Sequence, residues 1–229
     1  HAVIVDAHPN GSYQVVDRLK EMVRLGEHGL EANTLPEKAM ERGMRALKRI
    51  HLLAKGWDAH EFLAFATSAI REAANGGEFI QRVRNEIGLR IRPISGEQEA
   101  ELIFQGVRRA VEMATPTLLV DVGGGSVEFI VVAGGKSVFA RSLKLGAARM
   151  TERFVTTDPL SETEQSAMRA HFTEALQPVV DACRAHDVTS LVGSSGTMKS
   201  LARVALQQGP DHNSTVFQRT FSTDEVQSA

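Results

Sequence analysis

Val120-Asp121-Val122-Gly123-Gly124-Gly125-Ser126-Val127-Glu128 decides how the rest of this 229-residue chain is read. The stretch follows Leu118-Leu119, an apolar run of strand length, and leads into Phe129-Ile130-Val131-Val132-Ala133, another. A dinucleotide-binding turn or a Walker loop would open a helix here and set its N-terminus on the phosphates. This stretch carries neither the GxxxxGK[ST] nor the GxGxxG pattern and continues as β, so it reads as a glycine-rich hairpin between two strands. Its composition suits a phosphate. Glycines tolerate positive φ and let consecutive backbone N–H groups converge on one anion. Ser126 adds a hydroxyl, and Asp121 at the strand end is a hard oxygen ligand of the kind Mg²⁺ prefers. The same residues would also serve a tight glycine turn with the aspartate making a local hydrogen bond.

Outward from this loop the pattern is α/β. Strands are expected at 118–122, 127–133 and 137–143, the last two joined by Gly134-Gly135; a long helix at 161–185, a strand at 189–192 and a helix at 197–207 follow. Between that last strand and helix, Gly193-Ser194-Ser195-Gly196-Thr197 forms a second small-residue loop. Alone it reads equally as a strand-to-helix turn capped by Thr197; beside the first loop it suggests two clamps on one phosphorylated ligand. Upstream, residues 34–55 carry a helical stripe (Ala39, Met40, Met44, Leu47, Ile50, Ala54) with Thr34 as the expected cap. A strand at 62–67, a helix at 68–75 ended by Gly76-Gly77, a helix through Phe79 and Val83 ended by Gly88, and a strand at 91–94 come next. Ser95 caps a helix to about 113. Ala2 to Asp6 reads as a strand turning at Asn10-Gly11. The final 20 residues have weak periodicity. Thr115-Pro116-Thr117 is the best linker, which divides the chain into 1–115 and 116–229 and places a hinge between them.

Two further sites stand out. Thr67-Ser68-Ala69-Ile70-Arg71 sets an arginine one turn into a helix that follows a strand, able to grip phosphate oxygens or simply to face water. Glu97, Glu99 and Glu101 alternate at the start of the Ser95-capped helix, so at most one faces a given cleft. First-turn acids commonly serve the helix dipole; one aimed at a phosphate could instead act as a general base toward water.

Composition narrows the classes. The net charge is -2, with 26 basic and 28 acidic side chains, which argues against a polybasic binder of duplex nucleic acid. A hydrophobic content of 42% is ample for a core. Cys183 is the single cysteine, so no intrachain disulfide or thiolate zinc cluster can form. No apolar run approaches the ~20 residues of a membrane span. A reduced, cytoplasmic setting without membrane attachment is the expectation. The histidines show no metal-ligand spacing.

Together these motifs resemble the exopolyphosphatase/guanosine-pentaphosphate phosphohydrolase (Ppx/GppA) family. Val120 to Glu128 is similar to its DxGGGS-x-E signature. Ala66-Thr-Ser-Ala-Ile-Arg71, Ile94-Ser-Gly-Glu-Gln-Glu-Ala100 with Leu102-Ile-Phe-Gln-Gly-Val107, Leu143 to Ala148 with Thr151-Glu-Arg-Phe154, and Gly193 to Thr197 resemble further family blocks in the same order. The resemblance implies the two-lobed actin–hexokinase–Hsp70 ATPase fold (ribonuclease H-like), each lobe a mixed sheet flanked by helices. It implies Glu99 as catalytic base, Arg71 as a catalytic phosphate-gripping arginine, and Asp121 and Glu128 as acids that position Mg²⁺ and water. It further implies Gly123, Gly124, Gly125 and Ser126 as the phosphate loop, with Ser195, Gly196 and Thr197 in the loop of the second lobe. Two departures bear on this. Gln98-Glu99-Ala100-Glu101 stands where the family often has Glu-Glu-Ala-Arg, and the family's first phosphate loop would precede Ala2, so an internal portion of a longer protein is expected.

The activity implied is Mg²⁺-dependent release of a terminal phosphate from polyphosphate or from pppGpp. Polyphosphate or a guanosine phosphate would be the ligand, and the resemblance leaves room for a homodimer. Two rival readings are a sensor that binds these anions without turnover and a sugar-kinase-like phosphotransferase. The second would need an acceptor and an adenosine pocket, neither of which the sequence displays.

Overall fold

The computed structural model describes residues 1–207, and the weakly periodic C-terminal stretch lies outside them. Two compact units divide between Ile94 and Ser95. That division falls ahead of the 115–117 linker and assigns the helix after Ser95 to the second unit.

In the first unit, β1 (Ala2–Ala7) and β2 (Tyr13–Leu19) form an antiparallel hairpin turned at Gly11, whose φ is 81°. Helix α1 (Glu37–Gly56) buries Ala39, Met40 and Met44 along one stripe. It begins after Pro36 and has no side-chain cap, so the expected Thr34 cap is not used; the Thr34 amide instead donates to Gly29 O at 3.0 Å. Strands β3 (Ala64–Ala66) and β4 (Ile91–Pro93) pair in parallel around α2 (Ser68–Glu72) and α3 (Gly76–Ile87). Gly76-Gly77 opens α3 rather than ending a helix. The cause is a close approach: a Cβ on Gly76 would run into the carbonyl of Ile70. Asn75 fixes the junction, accepting from the Leu35 amide at 2.8 Å and donating to the Leu35 carbonyl at 2.9 Å. Phe79 and Val83 of α3 pack on Met40 and Met44 of α1, where each large side chain buried contributes about 1.5–3 kcal/mol.

The second unit is built on one four-stranded sheet. It contains β5 (Thr117–Val122), β6 (Val127–Ala133), β7 (Lys136–Leu143) and β8 (Ser190–Ser194), in the order β7-β6-β5-β8. β5–β6 and β6–β7 are antiparallel, and β8 joins β5 in parallel. Gly134 and Gly135, at φ 57° and 73°, make the β6–β7 turn as expected. Helix α4 (Gly96–Val107) covers one face and is shorter than the expected run to 113. Its Ala100 and Phe104 pack against Leu119, Ile130 and Val132.

The other face carries α5 (Ala147–Phe154), α6 (Glu162–Ala175) and α7 (Gln177–Ala185). Val120, Val127 and Phe129 meet Leu145, Met150 and Val179 there. The single helix expected over 161–185 is thus two, broken at Leu176 with Pro178 in the first turn of α7. Helix α8 (Ser195–Gln207) follows β8 directly, two residues earlier than expected, so Thr197 lies inside it and is not its cap. Among the described residues no helix is long and apolar enough to cross a membrane. This mixed-sheet, helix-flanked arrangement is the α/β class expected.

Candidate active site

Strand alternation sends every second residue of β5 and β6 to the same face. Leu119 and Ile130 face α4, so Asp121 and Glu128, two positions along, face that side too. The register places them directly opposite each other and extends the row at both ends. Ser142 of β7 lies beside Glu128, and Ser194 of β8 beside Asp121. One rung across the sheet therefore reads Ser142–Glu128–Asp121–Ser194, a hydroxyl at each end and two acids in the middle.

Both acids are shifted in the same direction. Glu128 is only 1% exposed, and burial pushes its carboxyl above the usual carboxylate range. The Ser142 hydroxyl, donating to Oε1 at 2.7 Å, opposes that shift, as does Ser126, while the charges of Glu99 and Asp121 add to it. Burial likewise raises Asp121, against a hydrogen bond from Ser194. Glu99 thus lies within electrostatic reach of Glu128.

Two features bring Glu99 there. A capping box starts α4: Ser95 Oγ accepts from the Gln98 amide at 3.1 Å, and Gln98 Oε1 accepts from the Ser95 amide at 3.0 Å. Gly96 lies so close to Ser142 that any Cβ on it would collide with the serine's Cβ. Of the three alternating acids, Glu99 is half-buried and Glu97 and Glu101 are exposed. Glu101, where the family often has arginine, accepts from Gln105 Nε2 at 2.6 Å.

The glycine loop is shaped differently from expectation. Among the described residues the positive-φ glycines are Gly11, Gly88, Gly134 and Gly135, so the loop glycines are not left-handed, and at Gly123 a close approach excludes a side chain. A Cβ on Gly123 would stand 2.9 Å from Ser126 O, and one on Gly146 would stand 2.5 Å from the Gly124 carbonyl and from Gly125 C. The start of α5 lies against the loop. Gly123 O accepts from the Ala147 amide at 3.0 Å, Gly124 O from the Arg149 amide at 3.1 Å, and Gly125 O from Arg149 Nε at 3.0 Å. Three successive carbonyls therefore turn toward α5, which uses them in place of a side-chain cap for its first-turn donors.

Peptide geometry fixes the consequence. In a trans peptide the N–H points opposite to the preceding C=O, and the cis bond among the described residues is Asp158–Pro159. The amides of Gly124, Gly125 and Ser126 consequently point away from α5, three donors in a row. Sequence reasoning missed this brace. Arg149, 3% exposed, is not singled out by the sequence, which predicts no helix between the strand at 137–143 and the helix at 161–185. The signal that was available is Gly146, a glycine just before a helix with no turn to make.

Ser195 joins the second loop to the first. Its Oγ donates to Val122 O at 2.8 Å, and its φ of 86° is unusual for a residue with a side chain. Gly196 and Thr197 are exposed in the first turn of α8. In the first unit, Arg71 donates from Nη1 to Ile94 O at 3.1 Å and lies 3.7 Å from Glu72 Oε1. Its side chain is 19% exposed. The second unit thus gathers Glu99, Asp121, Glu128, Ser126 and the Ser194–Ser195 step, while Arg71 belongs to the first. Burial raises the Cys183 thiol, which suits a packing role rather than a nucleophile.

Among the described residues no group of three or more His, Cys, Asp or Glu is arranged to hold a metal ion unaided. Asp121 and Glu128 nevertheless fit Mg²⁺ chemically. Mg²⁺ is usually held by one or two carboxylates, with substrate phosphate and water completing the shell. A cation between these acids would offset the burial that lifts both and the like charge that adds to it at Glu128.

The Ppx/GppA phosphatase family matches residues 4–227. An exopolyphosphatase from Cytophaga hutchinsonii superposes with a TM-score of 0.85 at 33% identity, over 90% of this chain and 66% of that one. An Aquifex aeolicus member of the Ppx/GppA family superposes at 0.68 with 28% identity, over 91% and 66%. An exopolyphosphatase-like protein gives 0.78 at 28% identity, over 85% and 62%. The chain spans about two thirds of the length of these relatives. With the signature loop, the order of its blocks and this extent of match, the chain belongs to the Ppx/GppA phosphatase family, within the actin-like ATPase superfamily that its motifs implied.

Proposed function

We propose that the protein is a phosphohydrolase that releases the terminal phosphate of inorganic polyphosphate, with the 5′-phosphate of pppGpp as a second substrate of the same chemistry. One observation carries this reading: the acid pair of half-buried Asp121 and buried Glu128 flanks a loop whose three consecutive amides point away from α5. Amide donors suit the equatorial oxygens of a phosphoryl group, and carboxylates suit the cation and water that accompany it.

In this mechanism the amides of Gly124, Gly125 and Ser126 hold the terminal phosphoryl, with the Ser126 hydroxyl beside them. Arg71, on the first unit, is the phosphate-gripping arginine that the family resemblance implies. Ser195, Gly196 and Thr197 bind phosphate further along the substrate. Mg²⁺ held by Asp121 and Glu128 would neutralise charge on the phosphate oxygens. Glu99 orients a water in line with the terminal P–O–P bond and takes its proton. As the water oxygen bonds to phosphorus, the bond to the bridging oxygen breaks. Inorganic phosphate leaves, and the chain is one phosphate shorter. Catalysis is by positioning and electrostatics, with no covalent enzyme intermediate.

Phosphate release from long-chain polyphosphate and from pppGpp, each with Mg²⁺, tests the reading. Turnover of polyphosphate to free phosphate is expected. Binding of both anions with no release would identify a sensor instead, and transfer of phosphate from ATP to an acceptor would identify a kinase.

A further inference from the structure

We propose that Arg149 is a positioning residue for the phosphate loop, acting through the Gly125–Ser126 peptide; this rests on the reading of that loop as an anion site. An arginine 3% exposed is costly to bury unless its hydrogen bonds are made. Its Nε–H donates to the Gly125 carbonyl, a charge-assisted bond to the last peptide before Ser126. Its own backbone amide holds the preceding peptide through Gly124 O. One residue thus fixes two consecutive peptides by different means, one through its backbone and one through its side chain.

The division of labour makes the role separable. The Gly124 carbonyl sets the direction of the Gly125 N–H, and the Gly125 carbonyl sets that of the Ser126 N–H. Glycine peptides rotate cheaply, since no Cβ restrains φ and ψ. Without a donor on its carbonyl, the Gly125–Ser126 peptide is free to turn its N–H out of the row. Polarisation acts in the same direction: a cation bonded to the carbonyl oxygen draws charge from the peptide and makes its N–H a stronger donor. Arg149 therefore orders the donor nearest Glu128 and strengthens it, without touching substrate.

The test is amide NMR of the full chain titrated with tripolyphosphate, on the wild type, Arg149→Met and Arg149→Lys, with isothermal calorimetry for affinity. In the wild type the Gly124, Gly125 and Ser126 amide resonances are expected to shift on titration. In Arg149→Met the Ser126 response is lost while the Gly125 response persists, and the Kd rises roughly tenfold, the scale of one charge-assisted bond. Arg149→Lys, which keeps a cation at the site, recovers part of the Ser126 response. A general loss of stability would not single out Ser126. If Arg149→Met keeps a dispersed spectrum and the wild-type Ser126 response and Kd, the assignment is overturned. If Arg149→Met fails to fold, Arg149→Lys with a weakened Ser126 response and a wild-type Gly125 response supports it, and Arg149→Lys with the wild-type Ser126 response and Kd, or with the Gly124, Gly125 and Ser126 responses lost together, overturns it. If the wild type shows no loop response to tripolyphosphate, the phosphate-loop reading itself fails, an outcome distinct from failure of Arg149 alone.

Discussion

Asp121 and Glu128 lie directly opposite each other on β5 and β6, the last acidic pair of the ladder before the glycine loop joins the strands. Like charges opposite each other on one face of a sheet are destabilising. Burial raises both carboxyls, and at Glu128 the charges of Glu99 and Asp121 add to it. A fold that keeps such a pair is spending stability on a site, and the predictions below follow from where that strain is held.

Removing divalent cations exposes the cost as a pH dependence. A carboxyl raised in the folded state binds its proton there more tightly than in the unfolded chain. Stability is therefore highest at and below the ordinary carboxylate range, near pH 4, and falls as pH rises through the folded values. With EDTA present, the thermal midpoint should decline as pH rises above the ordinary carboxylate range, and Mg²⁺ should restore it. Glu128→Gln, which keeps an acceptor for Ser142, should flatten the decline. A midpoint with the same slope in the variant would contradict this account of Glu128.

Gly146→Ala tests the brace. A methyl there would meet the Gly124 and Gly125 peptide atoms at 2.5 Å, so either α5 or the loop must move. Stability should fall by about 1–3 kcal/mol, the usual cost of overpacking, and phosphate release by more than roughly tenfold. Calorimetry and initial rates of phosphate release measure the two effects. Retained activity in the alanine variant would show that the loop tolerates the displacement.

The placement of Glu99 depends on how closely α4 approaches β7. Gly96→Ala should push the start of the helix off Ser142 and lower kcat by about 10–100-fold, because general-base geometry tolerates little displacement. Ser142→Gly removes the colliding atoms but also the hydroxyl on Glu128. In the double variant kcat should recover relative to Gly96→Ala alone, a coupling that a double-mutant cycle reads directly. Strict additivity would mean that Gly96 and Ser142 do not act through each other.

Much of this was legible in the sequence because hydrophobic patterning and capping are local. Val127–Ala133 is a run of β-branched and aromatic residues whose ends match the strand in full, and Ser95 with Gln98 makes the capping box that starts α4. Asp121, Glu128 and Ser126 could be named as a site because strand, acid and glycine occur together. What escaped was set by long-range packing. Helix α5 is only eight residues and shows little stripe, since Arg149 is one of its buried residues. The Gly76-Gly77 pair looked like a stop because glycine usually ends helices. Here the Ile70 carbonyl and the Asn75 bridge to Leu35, forty positions away, decide otherwise. The loop glycines are not left-handed, and the packing of Gly146 against the Gly124 and Gly125 peptides is a contact no local pattern announces.

The central claim is that Glu99 activates water beside an anion held by the glycine loop. Single-turnover phosphate release by Glu99→Gln, measured with tripolyphosphate affinity on the same preparation, tests it most directly. A general base contributes roughly 10²–10⁴-fold. The account predicts a rate lower by that factor with Kd within about threefold of wild type, because the amides and cation ligands are untouched. Undiminished release by Glu99→Gln would contradict it.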